Sequence, residues 1–175
     1  MIEHYTKGVV LAREPRGELD ATIVLYTKDL GKILAFAKSI RKITSKLSGH
    51  LVPGKIADIR VVENNGSGYQ VVDALSFTSA STPEVPRLLS FIDRMSPSGV
   101  QDLQLWYEIE NSLQYGITGD TYRKLLLIMG LGGEEIGCEK CGNLKIAYFL
   151  PLDVIFLCAE CFKRLGIEEK DGFQI

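Results

Sequence analysis

The feature that most constrains this chain is a pair of pairs, Cys138-Glu139-Lys140-Cys141 and Cys158-Ala159-Glu160-Cys161, separated by sixteen residues. A Cys-x-x-Cys turn aims two thiolates at one point, and the intervening segment must fold back to deliver the second pair. Gly142 follows the first pair, where such a knuckle turns tightly. Cysteine at all four positions leaves no coordination position for water. The spacing therefore predicts a closed, structural zinc (Zn2+) site on Cys138, Cys141, Cys158 and Cys161, and not a Lewis acid. A redox role would need a thioredoxin-like βαβ context, and none is legible. No basic segment followed by an apolar run opens the chain, so no export signal is expected; a reducing cytoplasm follows, and disulfides are disfavoured. A closed site of this type contributes about 10–16 kcal/mol to a small domain otherwise short of core.

The length of 175 residues suits one substantial domain or two small ones, and an apolar fraction of 46% is that of a folded globular chain. The longest apolar candidate, Ile146 to Cys158, is interrupted by Pro151 and Asp153, so no membrane helix is predicted. The net charge of −2 hides an asymmetry. Residues 1–80 carry eleven Lys and Arg against eight Asp and Glu, a balance of +3; residues 81–175 carry nine against fourteen, a balance of −5. From Leu30 through Ala57 there are six basic residues (Lys32, Lys38, Arg41, Lys42, Lys46, Lys55) and no acidic one. Such a block reads either as a local anion-binding face or as a solvated face that binds nothing.

The first eighty residues read as β. Tyr5–Arg13, Ala21–Lys28, Gly31–Ser39, Lys55–Asn64 and Gly68–Ser79 are rich in β-branched and aromatic residues. They are bounded by turn chemistry at Pro15-Arg16-Gly17, Asp29-Leu30-Gly31, Pro53-Gly54 and Asn64 to Gly68. Alternation is clearest where Ala57, Ile59 and Val61 share one face and Asp58 and Arg60 the other. Five short strands with one longer connection, Ile40 to Val52, predict a closed barrel of the OB type, with an SH3-like barrel as the alternative.

The chain changes character at Ser79–Pro86. Thr82 before Pro83 predicts a helix start, with Leu88, Leu89, Ile92 and Met95 inward until Ser96-Pro97-Ser98. A second helix should turn Leu103, Trp106, Ile109 and Leu113 inward and stop at Gly116. A third should begin at Asp120 as N-cap and bury Tyr122, Leu125, Leu126 and Met129. The whole is an α+β chain with an OB barrel over 1–80 and a small helical domain with the zinc knuckle over 81–175.

Catalytic constellations are missing from the sequence. His4 and His50 stand apart from any nucleophile, and the pairs Glu134-Glu135 and Glu168-Glu169 read as solvated faces. There is no phosphate-loop lysine, no GxGxxG after a strand and no GxSxG. The chain is not expected to be an enzyme.

Longer runs carry a resemblance. Gly8-Val9-Val10-Leu11, Gly17-Glu18-Leu19-Asp20, Leu25-Tyr26-Thr27, Gly31 through Lys38 and Arg41 through Gly49 together resemble the N-terminal barrel of the bacterial recombination mediator family RecO. Leu125 through Leu131, leading into Cys138–Gly142, is similar to that family's helical domain as it enters its zinc knuckle. The resemblance implies a DNA repair and recombination mediator in the bacterial cytoplasm, at the nucleoid, that binds single- and double-stranded DNA and anneals complementary strands. It implies RecR as a partner in loading RecA onto DNA coated with single-strand binding protein. It also implies a pocket in the helical domain for the acidic tail of single-strand binding protein. Two departures stand out: Pro151 through Leu157 replaces a glycine-containing turn before the second cysteine pair, and only fourteen residues follow Cys161, so an abbreviated helical domain is expected.

The residues support the same function on their own terms. A barrel groove lined by Lys32, Lys38, Arg41, Lys42 and Lys46 would neutralise phosphates, and counterion release would drive association without reading sequence. Tyr26, Phe36 and Tyr69 are candidate stacking platforms or ordinary barrel residues, and Trp106 reads as core. The acidic helical half is where protein partners would dock. Two other readings stay open: a protein-interaction adapter in which DNA is incidental, and a zinc-stabilised subunit of a larger nucleic-acid machine.

Overall fold

The computed structural model describes residues 2–64, 68–79, 82–133 and 135–175. The middle of the turn predicted at Asn64–Gly68 (65–67), residues 80 and 81 of the predicted strand-to-helix change, and Glu134 lie outside the described residues. Contacts divide the chain into two compact units, Met1–Tyr115 and Gly116–Ile175. Composition changes near residue 80; compactness changes only after Tyr115.

In the first unit, β1 (Ile2–Arg16), β2 (Asp20–Thr27), β3 (Gly31–Ala37), β4 (Lys55–Asn64) and β5 (Gly68–Ser79) close into a barrel in the order β1-β2-β3-β5-β4. β1 pairs with both β2 and β4, and the β3–β5 pairing is parallel, which is the OB arrangement predicted above. The pleat sorts the side chains. Ile23, Leu25, Ile33, Ala35, Ala57, Ile59 and Val61 fill the interior, while Asp58 is exposed and Arg60 partly so. β1 pairs with β4 from Ile2 to Val9 and with β2 from Gly8 to Arg16, and a bulge at Val10/Ala12 bends it enough to serve both neighbours. Ile40 and Leu51, at the two ends of the β3–β4 connection, are fully buried in the same core. Gly31 opens β3 at φ +64, and a Cβ there would fall 2.0 Å from the Val100 carbonyl oxygen. The segment around Ser98–Val100 runs against β3, tied by the Gly99 N–H to the Lys32 carbonyl at 2.8 Å.

Helix α1 (Val85–Met95) buries Val85, Leu88, Leu89, Phe91 and Ile92 and stops at Ser96, as the proline-bounded pattern predicts. Its start differs. Thr82–Val85 is a turn closed by the Val85 N–H on the Thr82 carbonyl, and the helix begins at its last residue, with Glu84 as N-cap and Pro86 in its first turn. Helix α2 (Leu103–Tyr115) buries Trp106, Ile109 and Leu113, with Leu105 inward in place of Leu103, which is exposed. The Asp102 carboxylate accepts from the Leu105 N–H at 3.0 Å and so caps the helix one residue before Leu103, and the rest of the predicted stripe is kept.

In the second unit, helix α3 (Gly119–Ile128) starts at Thr118, not Asp120. Thr121 Oγ1 accepts from the Thr118 N–H at 3.0 Å, and Asp120 sits in the first turn, where its charge suits the helix dipole. The helix ends in paired bonds, Leu131 N–H to Leu126 and Gly130 N–H to Leu127, which satisfy two of its last carbonyls. Strands β6 (Tyr148–Leu150), β7 (Ile155–Leu157) and β8 (Phe173–Gln174) form a small antiparallel sheet, with helix α4 (Ala159–Arg164) after β7. This sheet is built from strands too short to show a period in the sequence.

Candidate metal centre and basic surface

The first cysteine pair lies on a turn built by backbone hydrogen bonds. The Gly142 N–H donates to the Cys138 carbonyl at 2.8 Å and the Cys138 N–H to Asn143 at 2.9 Å. Gly142 takes φ +71, the left-handed conformation that closes such a knuckle without a Cβ penalty. The Glu139 N–H donates to Phe156 on β7 at 3.0 Å, which ties the knuckle to the β6–β7 hairpin. That hairpin runs straight into Cys158, which caps α4 with its sulfur accepting from the Cys161 N–H. Tyr148 stacks on Phe162 at 3.8 Å between ring centroids, holding hairpin and helix together.

The four Sγ atoms consequently lie within 4.8 Å of one another, with Cys141 and Cys158 at 3.7 Å. Sulfurs placed tetrahedrally about 2.3 Å from one zinc ion are about 3.8 Å apart, so the donor set and its spacing fit a metal. Cys138, Cys158 and Cys161 are buried and Cys141 is exposed. Burial alone would raise the Cys138 thiol, but the backbone N–H groups of Cys158, Lys140 and Cys141 outweigh it and bring it to about 6. Burial, and then hydrogen bonding with Cys141, Cys158 and Cys138, pushes Cys161 up to about 12. Four sulfurs so close cannot all ionise unaided; a divalent cation among them would replace the protons.

In the barrel, the β3–β4 connection is pinned inward by Ile40 and Leu51 and turns Lys38, Arg41, Lys42 and Lys46 outward, all exposed. It is tied to the β1–β2 turn by the Arg41 guanidinium, which donates to the Gly17 carbonyl at 2.9 Å, and by the Arg41 N–H to Leu19. The Ser39 N–H donates to Asp20 at 2.7 Å, and Arg13 reaches Ser48 at 3.2 Å. Lys32, grouped with these four by the sequence pattern, stands elsewhere. Its ammonium donates to the Asp93 carbonyl and lies 3.5 Å from the Asp93 carboxylate, with the side chain 15% exposed. The strand alternation that faces Lys32 outward also faces it into the segment carrying α1.

The aromatic candidates separate in the same way. Tyr26 is buried, with its hydroxyl donating to the Asp102 carbonyl at 3.4 Å; burial, then the nearby Asp102, raises its phenol. Tyr69 packs against the barrel core and meets His4 edge-on. Phe36 is half-buried on the outer face, and the Arg16 guanidinium lies over its ring. Arg16 was not among the candidates because the sequence ends the first strand at Arg13. Its signal is register: in the longer β1, Arg16 opposes Asp20 on the solvent-facing side.

Residues 1–80 match the family described as "Recombination protein O N terminal". A "DNA repair protein RecO" of Dehalococcoides mccartyi is 50% identical over 174 residues, covering 89% of this chain and 69% of that protein. One from Thermodesulfovibrio yellowstonii is 27% identical over 176 residues, covering 90% and 70%. Another from a second Dehalococcoides mccartyi strain is 54% identical over 46 residues, a match that spans only 18% of its length.

Proposed function

The chain belongs to the RecO family of DNA repair proteins, and on that premise we propose that it acts in recombinational repair as a non-catalytic DNA-binding mediator. The observation that carries the reading is the acid-free connection between β3 and β4, held on the barrel by Ile40 and Leu51 and exposing Lys38, Arg41, Lys42 and Lys46. Cations fixed on an OB barrel contact phosphates of single or double strands and release counterions, with no means of reading base identity. Lys32, bonded to Asp93, is left out of this surface. Neutralising two strands on such a surface is also what annealing requires. Cys138, Cys141, Cys158 and Cys161 would hold structural zinc, which supplies folding energy to the second unit and no chemistry.

RecR, RecA and single-strand binding protein are the partners proposed with this role, in the cytoplasm at the nucleoid. A groove of about 640 Å³ in the second unit, lined by Leu126, Leu127, Ile136 and Phe156 with Arg123 and Lys145, has the apolar floor and cationic rim that an acidic chain end would need. One observation favours the adapter reading instead. The outer face of β1, β4 and β5 carries a groove of about 750 Å³ and exposes Tyr5, Leu75 and Phe77, which is protein-docking chemistry.

The deciding experiment is fluorescence anisotropy of labelled single- and double-stranded oligonucleotides across salt concentrations. The native chain is compared with a Lys38→Glu, Arg41→Glu, Lys42→Glu, Lys46→Glu variant confirmed to be folded. Four phosphate contacts give a single-strand log–log salt slope near about −3, from about −0.7 per contact, and the variant should lose binding. Native protein that ignores DNA even at low salt would leave the adapter reading standing.

A further inference from the structure

The outer face of β2 and β3 is divided along its length. Towards one end Val24 and Tyr26 are buried, with Asp102 against the Tyr26 hydroxyl and Asp93 against Lys32. Towards the other end the same strands are open. There the register sets Phe36 between Thr22 on β2 and Gln70 on β5, with Leu34 exposed one step along. The Arg16 guanidinium carbon lies 5.1 Å from the centre of the Phe36 ring.

We propose that the Arg16–Phe36 pair receives one unpaired nucleobase, and that this site makes the barrel prefer single-stranded over double-stranded DNA. The inference rests on the reading of the barrel as the DNA-binding surface. The basic connection cannot supply such a preference, because phosphates are offered by both forms. A phenyl ring offers nothing to a phosphate and matches only a base whose own face is free; in a duplex both faces are stacked. Phe36 is held by its strand neighbours, so ordering it on binding costs little entropy. The guanidinium that now covers the ring is planar and exposed, and it can lift to lie on the far face of an arriving base. The exposed cation–π contact given up is weaker than the stacking gained. Glu14, opposite Thr22 in the same row, makes this spot unfavourable for a phosphate, so the base and not the backbone faces the sheet here. Every base has a π face, so no sequence preference follows.

The test uses the full chain, an oligo-dT strand carrying one 2-aminopurine, and a blunt duplex. Phe36→Leu keeps an apolar side chain and removes the ring; Phe36→Tyr keeps the ring. Phe36→Leu should weaken single-strand binding roughly tenfold, about 1.4 kcal/mol, with duplex affinity and the single-strand salt slope unchanged. Phe36→Tyr should bind as the native chain does, and 2-aminopurine emission should change on binding for native and Tyr proteins but not for Leu. Native single-strand affinity in Phe36→Leu, or an equal loss on both DNAs, would overturn the proposal and leave DNA binding by the connection intact. Undiminished binding by the four-fold charge-reversed variant would instead remove the surface on which it rests.

Discussion

The two compact units solve the problem of burial differently. The barrel of the first unit closes around a continuous apolar cluster that runs from Val10 and Ile23 through Ile33 and Ile59 to Val71, with Ile40 and Leu51 supplied by the loop. The corresponding cluster of the second unit is smaller, and half of its fully buried members are Cys138, Cys158 and Cys161, joined by Leu150, Leu157 and Phe162. A unit of that size buries too little surface to be secure on packing alone. Closure of a sheet satisfies every strand edge at once, whereas short strands such as β6, β7 and β8 leave edges and need an external brace. One unit is therefore a packing structure that carries charge on its surface, and the other places a four-cysteine cluster that could hold a metal among the buried side chains of its small core.

The widest separation between them should come from metal removal. With zinc bound at the four cysteines, chelation or Cys158→Ser should cost the second unit about 10 kcal/mol or more. In hydrogen exchange, amides of residues 138–165 should lose protection while those of the barrel strands keep it. Equal loss in both units would erase the distinction. The mirror-image experiment is Gly31→Ala. A methyl group 2.0 Å from the Val100 oxygen, on a residue at φ +64, should destabilise the first unit by about 3 kcal/mol or more and leave zinc content unchanged, as measured by denaturant unfolding and metal analysis.

A smaller effect sharpens the comparison within the second unit. Val154, in the β6–β7 turn, sits at φ +54, where a β-branched residue is strained. Val154→Gly should relieve about 1 kcal/mol of that strain, less whatever the glycine adds to the unfolded chain's freedom, and slow metal loss to a chelator. The smallest effect is one of pH in the first unit. The Tyr26 phenol is raised above its ordinary 10.0 in the fold, so its contribution is fully present below pH 10 and is lost as the pH rises beyond it. Tyr26→Phe should flatten the alkaline limb of the barrel's unfolding curve and cost under about 1 kcal/mol near neutrality, because its hydrogen bond is long. An unchanged alkaline limb would mean that the phenol is not confined as described.

Where the sequence was legible, local physics and tertiary packing agreed. The barrel strands could be read because inward and outward residues alternate and because Pro, Gly and Asn bound each run. The helices could be read from their stripes, but their starts could not. Asp102 and Thr118 capture the first turns of α2 and α3 through hydrogen bonds that depend on how the preceding loop arrives. The short β6–β8 sheet was invisible because three residues are too few to establish a period.

The same division runs through the candidate sites. The four-cysteine cluster needed only identity and spacing to be read, and the fold gathers its sulfurs within 4.8 Å. A charged surface has no such internal requirement. Lys32 and Lys38 are equivalent in the sequence, both facing out from or just beyond β3 in an acid-free block. The tertiary structure put Asp93 against the first and solvent around the second, and it brought Arg16 across from another strand to lie over Phe36. Alternation determines on which face of a sheet a side chain stands; what covers that face is decided by residues sixty positions away, and only the packed fold contains that information.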